Sequence, residues 1–204
     1  MNVKNNSEVS SSKFWNSCYY NNNTGWDLGM ATPIFIDWCN KLEVEQKICV
    51  PGCGNGYDVL HFASQGHKVT AIDFAKEPIE KLKKESENNS LDIDAIQRDI
   101  FNLPLKLHNQ FDYIIEYTCY CAIHPEMRLK YVETMYDLLK PGGELVGIFL
   151  PIDKGFNEGG PPFGIILDET IDIFSSCFKL LESTKHPLSI EPRSDKEQFI
   201  RFVK

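Results

Sequence analysis

Between residues 50 and 56 the chain reads Val50-Pro51-Gly52-Cys53-Gly54-Asn55-Gly56, with three glycines at alternate positions. Glycine lets a backbone turn sharply and come close to a ligand, and the N–H groups of a helix that follows favour electron-rich atoms. Asp73 comes 21 residues after Gly52, the spacing at which strand–turn–helix–strand units keep an acid for ribose hydroxyls. Two nucleotide motifs are ruled out by single residues. A dinucleotide fingerprint needs a glycine where Tyr57 stands, and the G-x-x-x-x-G-K-[ST] phosphate loop is absent. The remaining common ligand of such a crevice is S-adenosylmethionine, which has a ribose and no phosphate. Asp99, in Arg98-Asp99-Ile100-Phe101, stands where an acid after a third strand accepts from an adenine amine, although a surface turn also uses aspartate. Leu139-Lys140-Pro141-Gly142-Gly143 reads as a helix stop before a strand. Together these features favour the methyl donor over a dinucleotide.

Other reactive side chains give weaker signals. The seven cysteines (Cys18, Cys39, Cys49, Cys53, Cys119, Cys121 and Cys177) have no disulfide-like regularity and no second pair at zinc spacing. No metal is expected. Cys119 and Cys121 are expected to pack rather than react. His61, His67, His108 and His186 have no motif around them and read as surface or turn residues. His124 reads as a helix-entry residue before Pro125, with orienting or deprotonating an acceptor as the alternative. Arg128 is the charged candidate for acceptor work, against an exposed helix arginine paired with Glu126 or Glu133.

These residues need a scaffold that brings strand ends together, and the patterning supplies one. Strands are predicted over 47–51, 68–73, 91–97, 111–117, 144–150, 178–183 and 198–203. Helices alternate with them over 57–65, 78–87, 125–139 and 168–175, and Thr32 with Pro33 opens another. Alternation of this kind predicts a doubly wound, mostly parallel sheet with helices on both faces. A chain of 204 residues with 42% hydrophobic and 25% charged residues fits one such domain. Residues 1–12 are polar and read as a flexible tail. Residues 13–204 form the domain, of which 13–46 make an N-terminal lid and helix. The net charge of −8 disfavours nucleic acid and anionic membranes as partners. No apolar run approaches a membrane span, and reduced thiols without a secretory signal point to the cytoplasm. A monomer is expected.

Several stretches carry a resemblance across nearly the whole chain from Trp15. They are Gly25-Trp26-Asp27-Leu28-Gly29 with Ala31-Thr32-Pro33, residues 50–58, residues 112–128 with Cys121-Ala122-Ile123 and Pro125-Glu126-Met127-Arg128, residues 138–145, and Gly159-Gly160-Pro161-Pro162-Phe163. In these the chain resembles the S-adenosylmethionine-dependent thiol and halide methyltransferases within the thiopurine S-methyltransferase family. The resemblance implies a three-layer α/β/α Rossmann-like class I methyltransferase fold, with seven strands and an antiparallel last strand. It implies S-adenosylmethionine as methyl donor and a small sulfur nucleophile, sulfide or a low-molecular-weight thiol, as acceptor. A halide, a thiopurine, or a selenium or tellurium species are the alternatives, and a non-catalytic donor-binding protein is the alternative of another class. Gly52 would approach the donor's amino-acid end, Asp73 the ribose, and Asp99 with Ile100 the adenine, while Tyr117 would line the donor site. Trp15, Tyr19 and Trp26 match an aromatic lid, whose faces attract a cationic sulfonium; Trp15 and Tyr19 also suit the buried face of a short helix. Arg128 matches an arginine of the acceptor region, and residues 159–163 an acceptor loop. The chain departs from the pattern at Tyr19, where tryptophan is usual, at Glu116, where aspartate is frequent, and at His124, where an acid is common.

Overall fold

The computed structural model describes residues 6–43, 45–155 and 158–204. The strands are β1 (Lys47–Pro51), β2 (Lys68–Asp73), β3 (Ile93–Gln97), β4 (Phe111–Tyr117), β5 (Leu139–Phe149), β6 (Lys179–Thr184) and β7 (Gln198–Val203); the central β1, β4 and β5 are the most apolar, and the edge strand β6 is largely exposed. They form one seven-stranded sheet in the order β3-β2-β1-β4-β5-β7-β6. The first five strands are parallel, and β7 runs antiparallel to both β5 and β6. This is the Rossmann-like architecture expected from the sequence.

The helices are α1 (Asn6–Val9), α2 (Ser12–Tyr20), α3 (Pro33–Cys39), α4 (Tyr57–Ser64), α5 (Lys76–Asn89), α6 (Arg128–Leu138) and α7 (Leu167–Ser175). They cover the sheet on two sides. Cys49 belongs to a cluster with Tyr131, Met135, Leu138 and Phe174 from α6 and α7. Its neighbours Ile48 and Val50 belong to another with Phe35, Trp38, Phe62, Ile79 and Leu82 from α3, α4 and α5. Side chains alternate across a strand, so β1 serves both layers in turn.

Several expectations are refined. α3 starts as predicted, with Thr32 in the N-cap position and Pro33 at N1. The helix predicted over 125–139 divides into a 3₁₀ turn, Pro125–Met127, and α6. β5 begins at Leu139, ahead of the glycines, because Leu139 pairs with Phe111 across an irregularity in the register. Of the tail expected over 1–12, residues 1–5 lie outside the described residues. The remainder carries α1, whose Val9 is buried and accepts from the Trp15 indole at 2.8 Å. His67, expected at the surface or in a turn, lies in the turn before β2 but is buried against Phe62, its Nδ1 accepting from the Gln46 amide.

Candidate active site

In a parallel sheet every strand releases its chain at the same edge, and ligands bind outside the carboxyl ends of the strands. Here the strand order lays the residues out across that edge. Asp99 follows β3, Asp73 ends β2, Gly52 follows β1, Thr118 follows β4 and Leu150 follows β5. All five line one cleft of about 660 Å³, within the usual range for a small-molecule site.

The glycine turn is built as the sequence required. Gly52, Gly54 and Gly56 have φ of 61°, 51° and 75°, the left-handed region that a side chain disfavours. A Cβ on Gly52 would stand 2.8 Å from Cys119 Sγ, and one on Gly54 3.0 Å from the Tyr19 hydroxyl. Asp73 fixes the turn: one carboxylate oxygen accepts from Gly54 N and the other from Ala75 N, both at 2.8 Å. Burial pushes its carboxyl above the ordinary range. Asp99 caps a 3₁₀ turn, Ile100–Asn102, by accepting from Phe101 N at 2.9 Å. Asp99, Ile100 and Phe101 line the cleft together.

A wall of aromatic rings stands over this half. Trp15 and Trp26 meet edge to face at 5.7 Å, Tyr19 and Trp26 at 5.8 Å. All three line the cleft. The lid and the buried helix face are therefore one structure, since α2 presents Tyr19 inward while the rings bound the cleft. Burial and the nearby Asp73 push the Tyr19 hydroxyl well up, so it remains a neutral phenol.

The half of the cleft over β4 and β5 is mostly apolar. Cys121, Ala122, Ile123, His124, Leu150, Gly160, Pro161 and Pro162 line it. Phe163 N donates to Cys121 O at 2.7 Å, drawing residues 159–163 onto the strand end. Burial raises the Cys121 thiol to about 12 and the Cys119 thiol well above its ordinary value. Both are buried, and Cys119 packs against Gly52.

Two of the expected site residues lie elsewhere. Arg128 does not line the cleft; its buried guanidinium sits 4.8 Å from the Tyr120 ring centroid and donates to Gly164 O at 3.0 Å and Phe163 O at 3.4 Å. It falls on the inward face of α6 beside Tyr131 and Val132, so burial takes it from both solvent and acceptor. Tyr117 lines a smaller adjoining cavity of about 70 Å³ that shares Trp26, Gly52 and Thr118 with the cleft. Its hydroxyl accepts from Arg193. Glu116 is turned inward: it accepts from Cys119 N at 3.0 Å, Tyr120 N at 2.8 Å and the Tyr131 hydroxyl. Burial pushes it up to about 7.

Three features of the site had no signal in the sequence. Arg193, between β6 and β7, lines the cleft and donates to Trp26 O at 2.6 Å. It meets these partners only in the folded chain, 167 residues from Trp26. Thr118 holds φ of 63°, a strained value for a β-branched residue and one that clusters at functional sites. Phe101, which follows Asp99 and Ile100, lines the cleft with them although no chemistry marks it in the sequence. Among the described residues no group of three His, Cys, Asp or Glu could hold a metal, and no helix is long and apolar enough to cross a membrane.

Comparison with known proteins agrees with this geometry. The family model described as thiopurine S-methyltransferase matches residues 10–202. Thiocyanate methyltransferase 1 of Brassica oleracea is 32% identical over 93% of this chain and 84% of its own. A probable thiol methyltransferase 2 of Arabidopsis thaliana is 31% identical over 95% and 86%. Among solved structures, a 1,6-didemethyltoxoflavin-N1-methyltransferase of Burkholderia thailandensis with bound S-adenosylhomocysteine superposes with a TM-score of 0.81. It is 18% identical and covers all of this chain and 92% of that one. TehB of Haemophilus influenzae gives 0.68 at 17% identity, over 95% and 66%.

Proposed function

From the premise that this chain belongs to the thiopurine S-methyltransferase family, we propose that its cleft transfers a methyl group from S-adenosylmethionine to sulfide or a low-molecular-weight thiol. It is an S-adenosylmethionine-dependent methyltransferase acting on a sulfur nucleophile. The choice of sulfide or a simple thiol within that class is our own. The observation that carries it is the division of one cleft of about 660 Å³. One half has the glycine turn and two carboxylates that suit a nucleoside, and the other has room for a small apolar acceptor.

The donor supplies a methyl group made electrophilic by its sulfonium sulfur. The fit to this chain is good. The glycine turn leaves space that a Cβ would fill, and Asp73 and Asp99 each keep lone pairs beyond those given to backbone N–H groups. In our assignment Asp73 accepts from the ribose hydroxyls, Asp99 with Ile100 holds the adenine, and Gly52 passes beside the amino-acid end. Tyr117 bounds that end from the smaller cavity. Trp15, Tyr19 and Trp26 face the positive charge, an attraction worth roughly 0.5–2 kcal/mol at each well-placed ring. In-line transfer needs alignment and the exclusion of water more than covalent help; the aromatic lid and residues 160–162 provide both. Arg128 is a positioning residue that holds the acceptor loop through the Phe163 and Gly164 carbonyls. Seven free thiols suit a reducing compartment such as the cytoplasm, and in our reading the enzyme is a monomer whose partners are small molecules.

The test is S-adenosylhomocysteine release from purified protein and donor, with sulfide, methanethiol, a thiopurine and iodide in parallel. Release with sulfide or methanethiol is expected to be fastest. Faster release with iodide would make this a halide enzyme, and donor binding without release would leave a binding protein.

A further inference from the structure

We propose that His124 is the proton acceptor for the thiol substrate, with the Glu126 carboxylate behind its buried ring nitrogen; the inference rests on the sulfur-acceptor reading above. A neutral thiol is a poor nucleophile and its thiolate a strong one. At neutral pH an alkyl thiol is largely protonated, so a base at the acceptor half of the cleft would raise the reactive fraction.

The other ionisable groups that face the cleft are unsuited to this. Asp73 and Asp99 follow β2 and β3, on the far side of the glycine turn, and Tyr19 and Cys18 belong to α2. Arg98 and Arg193 are permanent cations. Cys119 and Cys121 are held as thiols. Glu116 gives its oxygens to two backbone N–H groups and the Tyr131 hydroxyl. His124 remains, and a neutral imidazole has one ring nitrogen free to accept a proton.

The ring is placed for the task. His124 follows β4 and lines the cleft beside Cys121, Ile123 and Pro162. Phe163 meets it edge to face at 5.4 Å, and Phe163 is itself pinned by Cys121 O and Arg128. Its Nδ1 is buried without a hydrogen-bond partner. The nearest carboxylate oxygen, on Glu126, stands 3.6 Å away on a side chain that is 76% exposed. That distance is too long for a hydrogen bond, and catalytic contacts are often long until substrate is bound. Nε2 is then the nitrogen left for the cleft. The step balances: the thiol proton passes to Nε2, and the thiolate pair forms the new carbon–sulfur bond. The old methyl–sulfur bond leaves its electrons on S-adenosylhomocysteine, and the imidazolium later returns its proton to water.

The experiment compares wild-type protein with His124→Gln, using an alkyl thiol and 4-nitrothiophenol, which is already a thiolate at neutral pH. The variant should lose about 10²-fold or more in kcat/KM with the alkyl thiol, and at least tenfold less with the nitrothiophenolate. Its alkyl-thiol profile should climb about tenfold per pH unit, following free thiolate, where the wild-type profile is level. A second readout needs no turnover. At neutral pH, with S-adenosylhomocysteine in place of the donor, an alkyl thiol bound to wild-type protein should show the ultraviolet absorbance of its thiolate, which His124→Gln should not induce. Equal losses with both acceptors, or no loss with either, would overturn the assignment. Wild-type protein that releases no product with any sulfur acceptor would instead overturn the function on which it rests.

Discussion

At the scale of single residues, the carboxyl groups divide into those that line the cleft and those that hold the fold. Asp73 belongs to both classes: it lines the cleft and its oxygens bind Gly54 N and Ala75 N. Charge-assisted hydrogen bonds contribute roughly 1.5–3 kcal/mol, so Asp73→Ala should weaken donor binding about 10- to 150-fold, measured by calorimetry. Unchanged affinity would remove Asp73 from the site. Glu116 belongs to the fold alone. Its carboxyl titrates at about 7 against an ordinary 4.5 because burial disfavours the anion. The folded state therefore binds this proton more tightly than the unfolded chain, and the stability so gained is full below about 4.5 and gone by about 7. Glu116→Gln keeps a carbonyl oxygen for the two amides and should flatten the dependence of Tm on pH across that window. An unaltered slope would mean that other groups set it. Gly52, Asp73 and Asp99 were legible because each sits in a local pattern of a few residues. The place of Arg128 was not, since no neighbour in sequence tells an arginine on the inner face of α6 from one on the outer.

At the scale of elements, strands of continuous apolar residues were read to the residue: β1, β2, β4 and β7 have their predicted bounds. Errors gathered where two signals overlapped. Pro141-Gly142-Gly143 stops a helix, but the chain had already entered β5 at Leu139, because pairing with Phe111 outweighs local turn preference. The segment between β6 and β7 carries no motif, yet through Arg193 it ties Trp26 to Tyr117 at the end of β4. Cutting that tie with Arg193→Ala should raise the donor Kd about tenfold or more and increase the solvent exposure of Trp26, read by fluorescence quenching. A variant that binds donor as tightly as wild type would show that the lid closes on its aromatic contacts alone. Gly52→Ala tests the turn. With φ at 61° and Cys119 Sγ 2.8 Å from the added carbon, it should cost about 1–3 kcal/mol of stability and lower Tm by several degrees.

Across the whole molecule, four buried carboxyl groups are shifted in one direction. Asp58 rises to about 6 and Glu116 to about 7, while Asp73 and Glu197 are raised as well, burial being the leading cause in each. Half-buried His61 and buried His67 are held down and act in the opposite sense, two groups against four. The donor-free protein should thus lose stability as pH climbs from about 4.5 to 7, seen as a falling Tm in scanning calorimetry at constant ionic strength; a Tm rising across that range would contradict the assignment. The order of the sheet has a different consequence, for the protein as it is made. β7 lies between β5 and β6 and pairs with both along its whole length. Until residues 198–203 have left the ribosome, β5 keeps one bare edge and β6 has no partner at all. The nascent chain can assemble the β1–β4 half early, but the other end of the sheet stays open until the later-made β7 slides in like a keystone, leaving an interval in which a chaperone is the natural neighbour of that edge.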